Sequence, residues 1–304
     1  MSENKKLSVV ISAFNEEKRI RQCLNSITFA DEIIFVDNSS TDSTVAVAKK
    51  YTKKIFTRPN NLMLNVNKNY GFTRATGDWI LYLDADEIAS EELKKEIQST
   101  INTEKDIYGY WIPRKNFIFN KLILHGGWYP DFQMRLFKKG FGKFEERHVH
   151  EMIAVDGKTE YLRHHVLHSN YESISQFLHK ATVIYAPNEA TELLRKGYTF
   201  NFVDCFRFPS KEFMSRFFAR EGYKDGFHGL MLAIFMAFYH FIVFCFIWER
   251  LGFSDFETNK TISFVKKELA GIKKEMKYWL EKEKMKNIKN PIIKFVIKIT
   301  SLLG

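Results

Sequence analysis

The sequence predicts an α/β fold: a mostly parallel sheet of Rossmann-like order, followed by a helical region at the C-terminal end. Two observations indicate the sheet. Short apolar runs alternate with helix-like stretches over the first hundred residues, and two of these runs end in acidic clusters. Continuous apolar runs of this length are typical of strands that are buried on both faces. A third observation, the almost wholly apolar run at residues 230–248, indicates the helical region.

Strand-like and helix-like segments follow one another regularly up to residue 101. Strands are expected at residues 7–11, 32–36, 54–57 and 79–83. Helices are expected at residues 16–27, 41–51, 64–75 and 90–101. Ser90 is a suitable N-cap for the last helix, because Glu91 and Glu92 follow in its first turn. This alternating order predicts a nucleotide-binding α/β domain.

The sequence changes character after this domain core. Residues 108–168 are rich in aromatic residues and short strand signals, and helix-like sequence resumes at Ser173. We therefore predict a catalytic domain over residues 1–200 and a helical, membrane-associating region over residues 201–304.

Acidic residues follow two of the predicted strands. Asp37 ends the second strand, and Asp84 and Asp86 follow the fourth. Ligands of such sheets bind beyond the carboxyl ends of the strands, so these three side chains are expected to converge on one pocket. Residues two apart in a strand share a face, which would place Asp84 and Asp86 side by side. Carboxylates held that close repel each other, and this predicts a cation between them.

The formal net charge of +10 indicates an anionic partner. Most of it lies late in the sequence, since residues 264–304 contain eleven lysines and four glutamates, a net charge of +7. These lysines lie in no recognisable nucleic-acid-binding module, so we expect an anionic membrane surface as partner and no nucleic acid. Cys23, Cys205 and Cys245 lack the spacing of a metal site or disulfide framework, which suits a reducing compartment.

An ordered set of short motifs extends through the first half of the chain. The set comprises LSVVISAFNEE at 7–17, FVDNSSTD at 35–42, KNYG at 68–71, GDWI at 77–80 and DADE at 84–87. It continues with GWYPD at 127–131, RLF at 135–137 and VHE at 149–151. With these motifs the chain resembles the glycosyltransferase family 2 enzymes of GT-A fold. Within that family it resembles most the bacterial lipopolysaccharide core glucosyltransferase-like branch. The resemblance covers about residues 1–250.

The resemblance implies a nucleotide-sugar site. Phe14 would stack on the nucleobase, and Asp37 would accept a hydrogen bond from it. Asn15 and Glu16, in the same motif as Phe14, are assigned to this site, and Lys68 stands where the family has a basic residue near the nucleotide. Two of these residues also have plainer interpretations, since Phe14 could simply pack and Asp37 could support the turn that follows it.

The resemblance also implies a metal ion, Mg²⁺ or Mn²⁺, that bridges the diphosphate of the donor. Asp84 would face the ribose or the metal, and Asp86 would be a metal ligand. Arg135 would bind the diphosphate or form an internal ion pair. Hard oxygen ligands suit such a cation, which neutralises charge on the leaving group.

Histidines are frequent between residues 148 and 168. They are His148, His150, His164, His165 and His168. Because they lie in strand-like sequence without zinc-type spacing, we interpret them as packing, acceptor or phosphate contacts rather than as metal ligands.

A base is needed to deprotonate the acceptor hydroxyl. Relatives place a carboxylate downstream of the metal site, and Glu151 occupies the comparable position here. The chain has His-Glu where many relatives have Glu-Asp, so Asp131 is kept as the alternative base.

The predicted function is therefore an inverting, metal-dependent glycosyltransferase that moves a hexose from a nucleotide sugar, with UDP as the expected nucleotide. Its expected acceptor is a hydroxyl of a lipid-linked or envelope glycan. One alternative is a polyprenyl-phosphate sugar transferase, although the Pro-Pro-Glu segment typical of those enzymes is missing after Asp86. A second alternative is a non-catalytic sugar-nucleotide-binding scaffold at the membrane.

Two apolar segments bear on the location of the protein. Residues 230–248 would form a helix of about 28 Å, close to the thickness of a bilayer core. If this helix crossed the membrane, the lysine-rich tail would lie on the side opposite the nucleotide site, outside the cytoplasm. Lysines near membrane-spanning helices favour the cytoplasmic side, so this arrangement is not expected. We therefore expect a peripheral or monotopic protein at the cytoplasmic face of the membrane, with residues 291–303 as an interfacial helix.

Overall fold

The structure, a computed structural model, describes residues 4–61, 64–103, 105–146, 151–255 and 257–286. The segment 291–303, expected to be an interfacial helix, lies outside these residues. The chain divides into two compact units, the first comprising Met1–Leu122 and Trp128–Asn170 and the second Ile123–Gly127 and Tyr171–Gly304. The functional division at residue 200 stays a prediction.

The strands are numbered in chain order. They are β1 Leu7–Ala13, β2 Glu32–Asp37, β3 Ile55–Thr57, β4 Trp79–Asp84, β5 Glu87–Ala89, β6 Gly109–Ile118, β7 Lys121–Ile123, β8 Asp131–Lys138, β9 Gly142–Lys143, β10 Ala154–Val155, β11 Thr159–Tyr161 and β12 Val166–Tyr171. The helices are α1 Ile20–Ser26, α2 Thr44–Ala48, α3 Leu64–Arg74, α4 Glu91–Ile101, α5 Ile174–His179, α6 Ala186–Arg195, α7 Asp204–Met214, α8 Phe227–Arg250 and α9 Thr258–Lys286. The four predicted strands and four predicted helices of the first hundred residues are present, but α1 and α2 are shorter than expected.

The main sheet has the strand order β3-β2-β1-β4-β8-β6-β12-β5. Strands β3, β2, β1 and β4 are parallel, as the sequence predicts. Beyond β4 the neighbours β8 and β6 run antiparallel. The sheet is therefore mixed, because the aromatic-rich segment adds antiparallel strands to the parallel half.

Both faces of the parallel half are buried, which explains its continuous apolar strands. Val9 and Ile11 belong to the hydrophobic cluster on one face, whereas Val10 belongs to the cluster on the other face with Phe72. Helix α3 lies very close to β1, since a Cβ atom added at Gly71 would be 2.5 Å from Cγ1 of Val10. This close approach fixes α3, which carries Lys68, on the sheet.

Glu32, at the start of β2, ties neighbouring segments together. Its carboxylate accepts hydrogen bonds from the side chains of Ser8 and Lys54. It also accepts hydrogen bonds from the backbone N and Oγ1 of Thr76, at 2.8 and 2.9 Å. Although burial raises the pKa of Glu32, these hydrogen bonds outweigh burial and bring the pKa to about 2.

The second unit contains α5 to α9. Val243 and Ile247 of α8 form a small hydrophobic cluster with Ala186 and Ala190 of α6. Helix α8 is the single helix of the described residues that is long and apolar enough to cross a membrane. Only 28% of its most apolar 18-residue window is buried.

Candidate active site

The candidate site lies where β2, β1 and β4 end. In the strand register Asp37 of β2 pairs with Ala13, and Asp84 of β4 pairs with Ser12, so the two aspartates flank the end of β1. Neighbouring strands are about 4.8 Å apart, which separates the two Cα atoms by about 10 Å. The parallel order thus brings both acidic clusters to one edge of the sheet.

The loops after β1 and β2 are joined by reciprocal hydrogen bonds. The backbone N of Asn15 donates to Oγ of Ser40 at 3.0 Å, and the backbone N of Thr41 donates to Oδ1 of Asn15 at 2.8 Å. The backbone N of Glu16 donates to Oγ1 of Thr44 at 2.7 Å. Asn15 and Glu16 therefore hold the two loops together, which also explains why α1 and α2 begin later than predicted.

Phe14 and Asp37 are exposed to different degrees. The Phe14 residue is 40% exposed at the end of β1, so its ring is not a core residue. Asp37 is buried, and its Oδ1 accepts a hydrogen bond from the backbone N of Ser40 at 3.0 Å. Its Oδ2 has no hydrogen-bond partner among the described residues.

Asp84 is held by two cationic side chains. Its carboxylate lies 3.2 Å from Nζ of Lys68 and 2.7 Å from Nη2 of Arg135, and the hydroxyl of Tyr82 donates to it. Burial raises the pKa of Asp84, but the charges of Lys68 and Arg135 outweigh burial and hold the pKa well below its usual range. The predicted residues Asp84, Lys68 and Arg135 thus form one ionised cluster.

Arg135 also starts a chain of buried charges. Nη2 of Arg135 lies 2.7 Å from Oε1 of Glu87, a fully buried carboxylate that accepts a second ion pair from Nη1 of Arg114 at 3.2 Å. Arg114 binds Oδ2 of Asp131 through Nε and Nη2, at 2.8 and 2.7 Å. From the sequence alone, no role is assigned to Glu87 or Arg114. Both are needed here because each buried charge requires a partner.

The contacts with Arg114 make Asp131 a poor candidate for the base. Although burial raises its pKa, the charge and hydrogen bonds of Arg114 lower it, with further hydrogen bonds from Asn116 and Gln133. A carboxylate with a lowered pKa and occupied oxygens accepts a proton poorly.

Asp86 does not share a strand face with Asp84, and the expectation that it does is wrong. Strand β4 ends at Asp84, and Asp86 lies in the turn before β5. Its Oδ2 is 3.6 Å from Nη1 of Arg19 and 3.6 Å from Nε2 of His168. Burial raises the pKa of Asp86, but the contact with His168 outweighs it and leaves the pKa lowered.

The orientation of the His168 ring follows from Asn116. Nδ2 of Asn116 donates to the carbonyl oxygen of Trp128, so its Oδ1 is the acceptor that faces Nδ1 of His168 at 2.7 Å. Nδ1 therefore carries a proton, and Nε2 faces Asp86. Metal-binding histidines usually have this arrangement: one ring nitrogen donates to an oxygen, and the second ring nitrogen is available to the metal.

These residues fit a divalent cation that is also bound by a substrate. The Asp86 Oδ2 atom and the His168 Nε2 atom, 3.6 Å apart, are both atoms that would bind a divalent cation. The described residues contain no group of three or more His, Cys, Asp or Glu side chains suited to hold a metal. A cation at Asp86 and His168 would need further ligands from diphosphate and water, which is the way Mg²⁺ is bound in many nucleotide sites.

The position of His168 beside Asp86 was not predicted, since the sequence analysis interpreted this histidine as a packing, acceptor or phosphate contact. Strand β12 pairs with β5, and this register places His168 opposite Glu87. Of the other histidines, the backbone N of His164 donates to Glu96 at 2.8 Å. His148 and His150 lie outside the described residues. Spacing along the chain holds no signal for His168, because the contact depends on strand pairing.

Glu151 is connected to the site through α3. Its Oε2 accepts a hydrogen bond from the backbone N of Glu146 at 2.8 Å and lies 3.4 Å from Nδ2 of Asn65. Asn65 and Lys68 are three residues apart in α3 and so lie on one helix face. Glu151 therefore contacts the face of α3 that also carries Lys68.

Known proteins resemble the chain over most of its length. The model of Glycosyl transferase family 2 matches residues 8–155. An uncharacterized glycosyltransferase of Rickettsia typhi is 30% identical over 264 residues, which cover 78% of this chain and 85% of that protein. The lipopolysaccharide core biosynthesis glycosyltransferase LpsC of Rhizobium meliloti is 23% identical and covers 80% of this chain and 92% of its own length. A crystal structure of Staphylococcus aureus TarS 1-349 in complex with UDP-GlcNAc is 16% identical, with a TM-score of 0.45; the match covers 81% of this chain and 92% of that one.

The parallel strand order and the acidic edge of the sheet define an α/β enzyme with a GT-A fold. The chain belongs to glycosyltransferase family 2. The family, fold and enzyme class predicted from the motifs are confirmed, and LpsC is a relative from lipopolysaccharide core biosynthesis.

Proposed function

We propose that the protein is an inverting, metal-dependent glycosyltransferase that moves a hexose from a UDP-sugar to a hydroxyl of a lipid-linked or envelope glycan. One observation carries the proposal: Phe14, Asp37 and the Asp86–His168 pair all lie near the carboxyl ends of β1, β2 and β4. The name of LpsC supports an envelope glycan as acceptor.

Binding of the donor base is assigned to Phe14 and Asp37. The exposed Phe14 ring offers a stacking surface. Asp37 has one oxygen bound to Ser40 and one without a partner in the described part of the chain, which suits the single imide N–H of uracil.

Binding of the diphosphate is assigned to the opposite flank of β1. Asp86 and His168 would hold Mg²⁺ or Mn²⁺, which supplies positive charge to the diphosphate as it leaves. The hydrogen bond to Asn116 keeps Nε2 of His168 directed at Asp86. Lys68 and Arg135 balance Asp84, so that Asp86 is the aspartate left for the cation.

We assign the base to Glu151 and not to Asp131, because Arg114 occupies the Asp131 carboxylate with two hydrogen bonds. Glu151 accepts the proton of the acceptor hydroxyl while the oxygen attacks the anomeric carbon. The bond from that carbon to the diphosphate oxygen breaks, and its electron pair leaves with UDP. A single displacement of this kind inverts the configuration.

The proposed location is the cytoplasmic face of the membrane, as a peripheral or monotopic protein. The apolar helix α8, only partly buried, supports membrane association. A nucleotide-sugar donor supports the cytoplasmic side, where such donors are made.

A donor screen tests the function. The full chain is incubated with a panel of nucleotide sugars and Mn²⁺, and release of nucleotide is measured without acceptor. We expect slow hydrolysis of one UDP-hexose above the rest. Binding of UDP without hydrolysis of any donor would favour the scaffold alternative. Transfer to polyprenyl phosphate that survives Glu151→Gln would favour the polyprenyl-phosphate alternative.

A further inference from the structure

Helix α9 has an exposed apolar stripe. Ile262, Leu269, Met276 and Leu280 are 82, 53, 39 and 48% exposed. Their spacings of seven, seven and four residues place them on one side of a helix with about 3.6 residues per turn. No residue of α9 is buried in the part of the chain that the structure describes.

The stripe is not the face by which α9 packs on its own unit. Trp279 stacks on Phe218 with ring centroids 6.0 Å apart, and Phe264 contacts Phe206 at 5.9 Å. Near the end of the helix Glu283, seven residues after Met276 and so on the side of the stripe, accepts a hydrogen bond from the Tyr223 hydroxyl at 2.6 Å. Trp279 and Phe264 hold the helix in place through another face, which leaves Ile262 and Leu269 more than half exposed.

Lysines border the stripe. Helix α9 contains nine lysines and four glutamates, a net charge of +5. Lys266 and Lys273 each follow a stripe residue by four positions and so stand beside it, whereas Lys267 and Lys274 follow by five and turn away. None of these four lysines forms an ion pair with a described residue.

Helix α8, like α9, has one face that packs on its own unit and another face that is apolar and exposed. Phe227, Ile234, Phe238 and Phe241 are 72, 44, 41 and 39% exposed, and spacings of seven, four and three residues place them on one side. Val243 and Ile247 lie on the opposite side and are buried. The second unit thus has two exposed apolar helix faces, one of which is bordered by lysines.

We propose that the stripe of α9 is a docking surface for an anionic lipid bilayer, with the stripe residues at the level of the acyl chains and Lys266 and Lys273 on the phosphates. This inference rests on the proposed membrane location and names the surface and lipid chemistry involved. The charge disfavours a second copy as the natural occupant, because two α9 helices of net charge +5 would bring their lysines together. A groove for an acidic peptide is disfavoured because the residues between the lysines are apolar and protruding. An apolar stripe with flanking lysines matches an interfacial helix, in which lysine stems lie along the apolar boundary.

The test compares two variants with the same change of charge. The full chain is sedimented with vesicles of phosphatidylcholine alone or mixed with an equal amount of phosphatidylglycerol. Each lysine at an anionic surface contributes about fivefold in binding, so K266Q/K273Q should bind the mixed vesicles about 30-fold more weakly. The matched control K267Q/K274Q should bind almost as the unchanged protein does.

A third variant tests the apolar part of the surface. Leu269→Ser with Met276→Ser should weaken binding to the mixed vesicles by about tenfold or more, because exposed apolar side chains no longer leave water. Equal losses in K266Q/K273Q and K267Q/K274Q would overturn the proposal, since binding would then follow net charge and not a face. A changed oligomeric state with unchanged vesicle binding would identify the stripe as a protein interface instead.

Donor hydrolysis without vesicles separates this inference from the proposed function. All three variants should release UDP at the rate of the unchanged protein, because the substitutions lie outside the candidate active site. A chain that binds vesicles as expected but hydrolyses no donor would refute the enzymatic proposal alone. A chain that hydrolyses a donor but ignores anionic vesicles would refute the docking surface alone.

Discussion

Replacing Asp84 and Asp86 separately by asparagine should produce opposite defects. In Asp84→Asn, Arg135 loses a charged partner at 2.7 Å and Lys68 loses one at 3.2 Å. Removing one partner of a buried ion pair costs about 3–5 kcal/mol. The Asp84 side chain is 32% exposed and Glu87 still pairs with Arg135, so we expect a smaller loss of about 2 kcal/mol. For a unit of this size that corresponds to a midpoint about 4–8 °C lower.

In Asp86→Asn the fold should change little. The two basic side chains that face the Asp86 carboxylate among the described residues, Arg19 and His168, are 3.6 Å away, a distance at which little hydrogen-bond energy is lost. We expect a stability change of about 0–1 kcal/mol. Donor hydrolysis should nevertheless fall by about 10²–10³, because a cation ligand at the leaving group is removed.

Thermal unfolding followed by circular dichroism, together with UDP release, separates the two effects. Asp106→Asn is a suitable control, because Asp106 is 67% exposed and its ion pair in the described part of the chain is with the exposed Lys158. The control should match the unchanged protein in both measurements. A wild-type unfolding midpoint for Asp84→Asn, or full activity for Asp86→Asn, would refute the reasoning.

Three further predictions concern the base, the nucleobase and the acid limit of stability. Glu151→Gln should retain UDP binding and lose transfer to acceptor by about 10²–10⁴, measured by product formation; normal transfer, with a loss in Asp131→Asn, would exchange the two roles. Phe14→Ala should weaken UDP binding in calorimetry by about 1–3 kcal/mol, whereas the similarly exposed Phe117→Ala should leave it unchanged. The pKa of Glu32 lies at about 2 instead of 4.5, so its contribution of about 3 kcal/mol is complete above pH 4.5 and is lost as the pH falls towards 2. Unfolding of Glu32→Gln by urea should therefore show lower stability at pH 7 and a flatter decline in acid; a decline as steep as that of the unchanged protein would contradict this.

The parallel half of the sheet was predictable because its signals are local. Runs such as residues 33–36 and 79–83 are continuous and apolar, and each is followed by acids. Such runs predict where the strands lie, and therefore where Asp37 and Asp84 lie, without knowledge of distant contacts. The turn at Asp86 was missed, because alternation along a strand says nothing about where the strand ends.

The neighbours of the acidic residues were not predictable in the same way. His168 contacts Asp86 only because β12 pairs with β5, and Glu87 joins Arg135 to Arg114 only because β6 and β8 are adjacent. These contacts join residues far apart in the chain. A single sequence contains no periodicity that would reveal them.

The binding of UDP with and without Mn²⁺ tests the central claim most directly. Calorimetry on the unchanged protein and on Asp86→Asn, each in Mn²⁺ and in EDTA, gives four affinities. We expect the unchanged protein to bind UDP more tightly in Mn²⁺ than in EDTA, and Asp86→Asn to bind equally in both. Equal affinities for the unchanged protein in Mn²⁺ and EDTA, or a full Mn²⁺ effect in Asp86→Asn, would contradict the assignment of the cation to Asp86 and His168.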